Sequence, residues 1–265
     1  MTGSILGFAA IAAYMIGLVY HLMQLRKDPH FNPISLQTIT GIGICLHGLA
    51  IAGLLLVEGG LDLSLFKILA LLALVINVLV FVSGLKKPLH SLYLALLPLS
   101  ALCLLAALVS PSSKPPALMS GPMQAHVLVS ILAYSLLAIA ALQALLAGYQ
   151  DWQLKHKHQN ILMRTLPPVQ TMETLLFELI WAGEILLTLS LVSGFLFFDD
   201  LFAQQLVHKV TFSIVAWAVY AILLWGRHNR GWRGNKAIRW TWAGFIAILL
   251  GYIGSKIVLE FILTQ

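Results

Sequence analysis

From Val127 to Gly148 no residue carries a formal charge, and a helix over that run is about 30 Å long, enough to cross the hydrocarbon core of a bilayer. Apolar blocks of the same kind recur along the chain, as from Leu65 to Leu85, which is broken by one charge, Lys67. Continuous blocks exclude the period-two alternation of a membrane β-barrel. Hydrophobic residues make up 60% of the 265 and charged residues 10%, at a mean hydropathy of +0.91, so no part of the chain is left for a sizeable soluble domain. The expected fold is an all-α, polytopic helical bundle in a single transmembrane domain, residues 1–265.

Charge, Pro and Gly punctuation divides the chain into about eight spans, near 4–24, 36–57, 64–85, 89–110, 124–148, 173–198, 207–226 and 238–262. The first block has no basic leader and runs on too far to be a cleaved signal peptide. Twelve of the sixteen basic residues fall after odd-numbered spans: Arg26 and Lys27, Lys86 and Lys87, Lys155, Lys157 and Arg164, then Arg227, Arg230, Arg233, Lys236 and Arg239. Such loops stay in the cytoplasm, so both termini are expected to face outward. The net charge of +6 is therefore a topology signal, and no nucleic-acid partner is expected; the bilayer itself is the first partner. Cys45 and Cys103 lack CxxC spacing and are expected as buried apolar side chains.

Polar residues inside spans are costly and mark function or interhelical bonds. His126 opens the fifth span, with Ser130 one turn on and Tyr134 two turns on, a polar stripe on one helix face. His208 opens the seventh span at the same outward level, and His47 lies near mid-bilayer in GICLHGLAIAG. Two facing imidazoles would bind a six-coordinate haem, so His126, His47 and His208 are candidate iron ligands; the alternative is interhelical hydrogen bonding. Glu178 and Glu184 point to different faces of the sixth span, and the deeper Glu184 needs a proton or a counter-ion, for which Lys256 is a candidate. The other histidines, His21 and His90 among them, are expected at solvated ends. No GxSxG, Walker loop, HExxH or nucleophile with a base is present, so no catalytic residue is assigned and no enzyme activity is expected.

Two stretches, MQAHVLVSILAY and WGRHNRGWRGNKAIRWTWAGF, together with IVAWAVYAILLWG, resemble the cytochrome c assembly family, the CcsA, CcmC and HemX group. The match rests most on Gly231, Trp232, Arg233 and Gly234, and it extends from residue 121 to 265, the expected assembly-like core. The resemblance implies haem handling at the outer face, with His126 where the family's first external histidine falls, and other cytochrome c biogenesis or membrane transport proteins as partners. Where the family carries a tryptophan-rich platform this chain has SGFLFFDDLFAQQ, in which Phe197 and Phe198 would pack on a porphyrin. Without those tryptophans a haem lyase activity is not expected, and a HemX-like haem-binding role fits better. The alternative is a cofactor-free scaffold or regulatory partner of another membrane protein or transporter.

Overall fold

A computed structural model describes residues 2–27, 33–111, 119–157, 162–164, 166–197 and 207–254. Its helices are α1 (Thr2–Lys27), α2 (Pro33–Leu55), α3 (Leu65–Gly84), α4 (Tyr93–Val109), α5 (Gly121–Lys155), α6 (Val169–Phe197), α7 (Val207–Arg230) and α8 (Gly234–Leu249). Among the described residues seven candidate spans are long and apolar enough to cross a membrane, α4 counted with the 3-10 turn His90–Leu92 that precedes it. The eighth, α8, passes into a π-helical turn, Leu250–Gly254, and the rest of the expected last span lies outside the described residues. The chain is thus a polytopic helical bundle.

Its outer surface is apolar where a soluble protein would be charged. Ile5, Phe8 and Ile16 on α1, Val109 on α4 and Leu196 on α6 are all more than half exposed, which suits side chains that meet lipid. Cys45 belongs to this surface: it is exposed, not buried as expected, because it lies off the α2 face that turns inward.

The chain packs as two compact units. The first holds Met1–Met119 with Gln159–Leu166, the second Ser120–His158 with Pro167–Gln265.

In the first unit α1 buries Gly7, Ala10, Tyr14, Gly17 and His21, and α2 buries Leu36, Thr40, Gly43, His47 and Ala50. Both sets alternate steps of three and four, the seam of two helices packed side by side. A Cβ on Gly43 would lie 2.8 Å from the Tyr14 ring, so the absent side chain is what admits the tyrosine. His21, expected in solvent, is 2% exposed, because it continues this seam two turns beyond Tyr14. Between α2 and α3 a two-residue hairpin, Leu56–Val57 with Gly60–Leu61, leads to Asp62, which accepts hydrogen bonds from the Ser64 amide and hydroxyl and pairs with the buried Lys67.

In the second unit α5 runs for 35 residues, about 52 Å, and so extends well past a hydrocarbon core of about 30 Å. It packs along α6 and α8 through Ala133, Leu137, Ala140 and Ala144, against Leu176, Ile180 and Leu187. Two buried glutamines of α5 hold the start of α6: Gln143 donates to the Met172 carbonyl at 3.4 Å and Gln150 to that of Pro167 at 2.9 Å.

Candidate functional site

The polar stripe on α5 meets serines of α6. His126 is half-buried, and its Nδ1 lies 2.9 Å from Ser193 Oγ. Ser193 Oγ also lies 2.9 Å from the Ser190 carbonyl, to which it can donate its only hydroxyl hydrogen. With the hydroxyl hydrogen on that carbonyl, the imidazole Nδ1–H is the donor and Ser193 Oγ the acceptor; with it turned to the ring, the roles reverse. In the first arrangement the lone pair of His126 is at Nε2. One turn along, Ser130 donates to the His126 carbonyl at 2.7 Å and shares a 2.7 Å bond with Ser190 Oγ. Two turns along, Tyr134 Oη and Ser213 Oγ of α7 are 3.2 Å apart, and the Tyr134 ring meets Tyr252 edge-on. Gly194 borders the ring: a Cβ there would be 3.2 Å from His126 Cε1.

The remaining sequence candidates are distributed differently. His208 stands exposed on the first turn of α7, and Phe197 is 49% exposed at the end of α6. Phe198 and Lys256 lie outside the described residues. His47 lies in the first unit, fully buried, with Nδ1 3.0 Å from Tyr14 Oη and the two rings edge-on. Replacing Tyr14 by Phe removes that bond from a buried nitrogen, and unfolding in detergent should show a loss of about 1–3 kcal/mol. Stability equal to the wild type would show that the bond carries nothing.

Glu178 faces outward and Glu184 inward; both Glu184 carboxyl oxygens are buried without a hydrogen-bond partner among the described residues. The Glu184 carbonyl accepts from Thr188 Oγ1, which in turn accepts from Trp217 Nε1. Among the described residues no three His, Cys, Asp or Glu side chains gather as a metal held by protein alone would need.

At the other end of the second unit, Gly231 to Gly234 form the turn from α7 to α8, with Gly231 at φ +63° and Gly234 at φ +55°, backbone that favours glycine. The Trp232 amide donates to the Gly226 carbonyl at 3.1 Å and its ring lies on Gly226, where a Cβ would be 2.3 Å from Cε3. Lys236 Nζ sits 3.8 Å over the Trp232 ring, and Arg227 Nη1 donates to the Trp232 carbonyl at 3.4 Å. Glu173 of α6 closes the turn, accepting from Arg233 Nε and from the Gly234 amide, both at 2.9 Å. That carboxylate supplies the cap that α8 lacks from its own N-cap residue, Arg233. Glu173→Ala should cost about 2 kcal/mol, discounted from a buried pair because Arg233 is mostly exposed. Thermal unfolding checks this, and an unchanged midpoint would contradict the capping role.

A membrane bundle in which a histidine at one end of the second unit bonds a serine of the next helix, with a Gly-Trp-Arg-Gly turn locked at the opposite end, defines a class of polytopic membrane protein. The chain belongs to the cytochrome c assembly protein family, whose model matches residues 4–263 and so takes in the N-terminal half, where the sequence alone offered no motif. It is 30% identical over 257 residues to inner membrane protein YpjD of Escherichia coli strain K12, covering 96% of this chain and 97% of that protein. Cytochrome c biogenesis protein CcsA of Prochlorococcus marinus strain NATL1A is 30% identical over 115 residues, 41% of this chain and 36% of that protein. The CcsA of Chlamydomonas reinhardtii is 26% identical over 148 residues, 55% and 40% respectively. No solved structure matches. The chain is a multi-pass protein of the inner membrane.

Proposed function

We propose that this protein binds haem at the rim of its second unit, with His126 Nε2 as an axial ligand, and serves cytochrome c biogenesis or haem homeostasis as a haem-holding protein, not a lyase. The observation that carries the reading is the hydrogen-bond chain from His126 through Ser193 to the Ser190 carbonyl. A ligating histidine characteristically gives its other ring N–H to an acceptor that fixes its tautomer and raises its basicity, and Ser193 is placed to do this here. Gly194 lets the imidazole pack closely on α6, where a Cβ would be 3.2 Å from Cε1, and an imidazole whose Nδ1 is held by a hydroxyl has the chemistry of an iron ligand. A bound haem would supply an iron centre for axial ligation; the protein contributes orientation and an apolar wall.

His208 is the proposed source of the second axial bond within the same unit, with Phe197 and Phe198 as the apolar cover, and His47 is proposed for a separate site in the first unit. The distribution of basic residues supports an outward-facing His126 rim and an inward-facing Gly231–Gly234 turn. Partners are proposed by family, as proteins that deliver or accept haem; the printed name of the CcsA relatives supports that class. The test is isolation in detergent from haem-replete cells. A Soret band at near-stoichiometric haem is expected, and its absence from fully folded protein would sink the reading.

A further inference from the structure

Cations gather at the α7–α8 end of the second unit without carboxylates to match them. Arg227, Arg230, Arg233, Lys236 and Arg239 all lie between residues 227 and 239, and Glu173 pairs with one of them, Arg233, at 2.9 Å. Among the described residues the other four meet no carboxylate.

These cations are held in place by aromatic rings. Arg227 is half-buried, its guanidinium carbon 4.6 Å from the centre of the Phe177 ring and its Nη1 donating to the Trp232 carbonyl at 3.4 Å. Lys236 Nζ lies 3.8 Å over the ring of that same tryptophan. One residue, Trp232, therefore carries two positive groups, neither of which has a carboxylate beside it among the described residues. Arg239 follows Lys236 by one turn of α8 and is exposed. Arg230 is exposed too, with its guanidinium 5.0 Å over Trp225. A ring face fixes the position of a cation and leaves its charge in place, so the cluster still attracts an anion.

The level of the cluster identifies that anion. On α7, Ile222 is 44% exposed and Trp225 51%, and Arg230 follows within two turns. Apolar, then aromatic, then cationic is the order in which a helix leaves hydrocarbon, crosses the interface and reaches the headgroups. The anions at that depth are lipid phosphates. Glu173 already accepts from the Gly234 amide and Arg233, so an arriving phosphate meets the unpaired side-chain cations and not the start of α8.

We propose that this end of the second unit binds the phosphate of an anionic phospholipid, with Arg227 and Lys236 as inner contacts and Arg230 and Arg239 at the rim. A guanidinium offers phosphate a planar pair of donors, and an ammonium offers a point charge. Ile222 and Trp225 give the acyl chains an apolar wall beside it. A net negative lipid is selected because the added ammonium of a zwitterionic headgroup is repelled by the same cations. None of the proposed iron ligands takes part.

Native mass spectrometry of the full chain, released from detergent after titration with phosphatidylglycerol or with phosphatidylcholine of the same acyl chains, tests the site. Phosphatidylglycerol should bind several-fold more tightly. Lys236→Gln with Arg239→Gln, which leaves the Arg227 and Glu173 bonds in place, should remove most of that preference. Lys236→Arg with Arg239→Lys keeps both charges and should retain it, as should Lys86→Gln with Lys87→Gln, an equal loss of charge in the first unit. Equal binding of the two lipids by the wild type would overturn the site, and so would a preference that survives the first pair or is lost in either control pair. An excess of inorganic phosphate should leave the bound lipid in place; displacement by it would overturn the lipid as occupant.

Discussion

Gly226→Ala is expected to unfold the α7–α8 end of the second unit, lowering stability by about 3 kcal/mol or more. The added methyl would lie 2.3 Å from Trp232 Cε3 and 2.4 Å from Cδ2, against ring atoms that have no flexible end to swing away. Relief requires the whole indole to leave, and the indole is held on every side. Its ring meets Trp240 at 5.4 Å between centroids, Lys236 lies over it, and its backbone is bonded to Gly226 and Arg227. Displacing it also pulls on Arg233 and Gly234, the two donors to Glu173. Circular dichroism melting in detergent, with Trp fluorescence reporting on this turn, measures the effect. A melting midpoint equal to the wild type would show that Trp232 is not locked.

Ser193→Ala is expected to weaken haem retention by about 10- to 100-fold while leaving the fold intact. With its hydroxyl hydrogen on the Ser190 carbonyl, Ser193 accepts the Nδ1–H of His126, and without it the ring is free to rotate and to take the other tautomer. The fold should survive because Ser130, Ser190 and the apolar contacts of α5 with α6 remain. Ser193→Thr keeps the hydroxyl and should restore most of the affinity. Haemin titration followed at the Soret maximum separates the three proteins, and equal affinities in all would remove Ser193 from the site.

The bundle was legible because its signal is composition itself: long apolar runs leave few folds open in a membrane. The polar face of α5 was legible too, since His126, Ser130 and Tyr134 repeat at helical spacing. Its answering groups were not, because Ser190 and Ser193 are ordinary serines in a long apolar span and only packing shows that they face α5. The spacing of LSLVSG, with two serines three apart and a glycine next, is the local trace that points to them. Glu173 left no local trace at all, being sixty residues from the Arg233 it binds. The burial of His21 could have been read from the three-four alternation of Gly7, Ala10, Tyr14, Gly17 and His21, which proximity to Arg26 and Lys27 concealed.

The central claim is that His126 Nε2 bonds iron. Pulsed electron paramagnetic resonance of the ferric haem-loaded protein, grown with 15N-histidine, reads the axial nitrogen directly. The account predicts 15N coupling from an axial imidazole in the wild type that is lost or halved in His126→Ala. Identical coupling in both proteins, with haem bound to each, would contradict it.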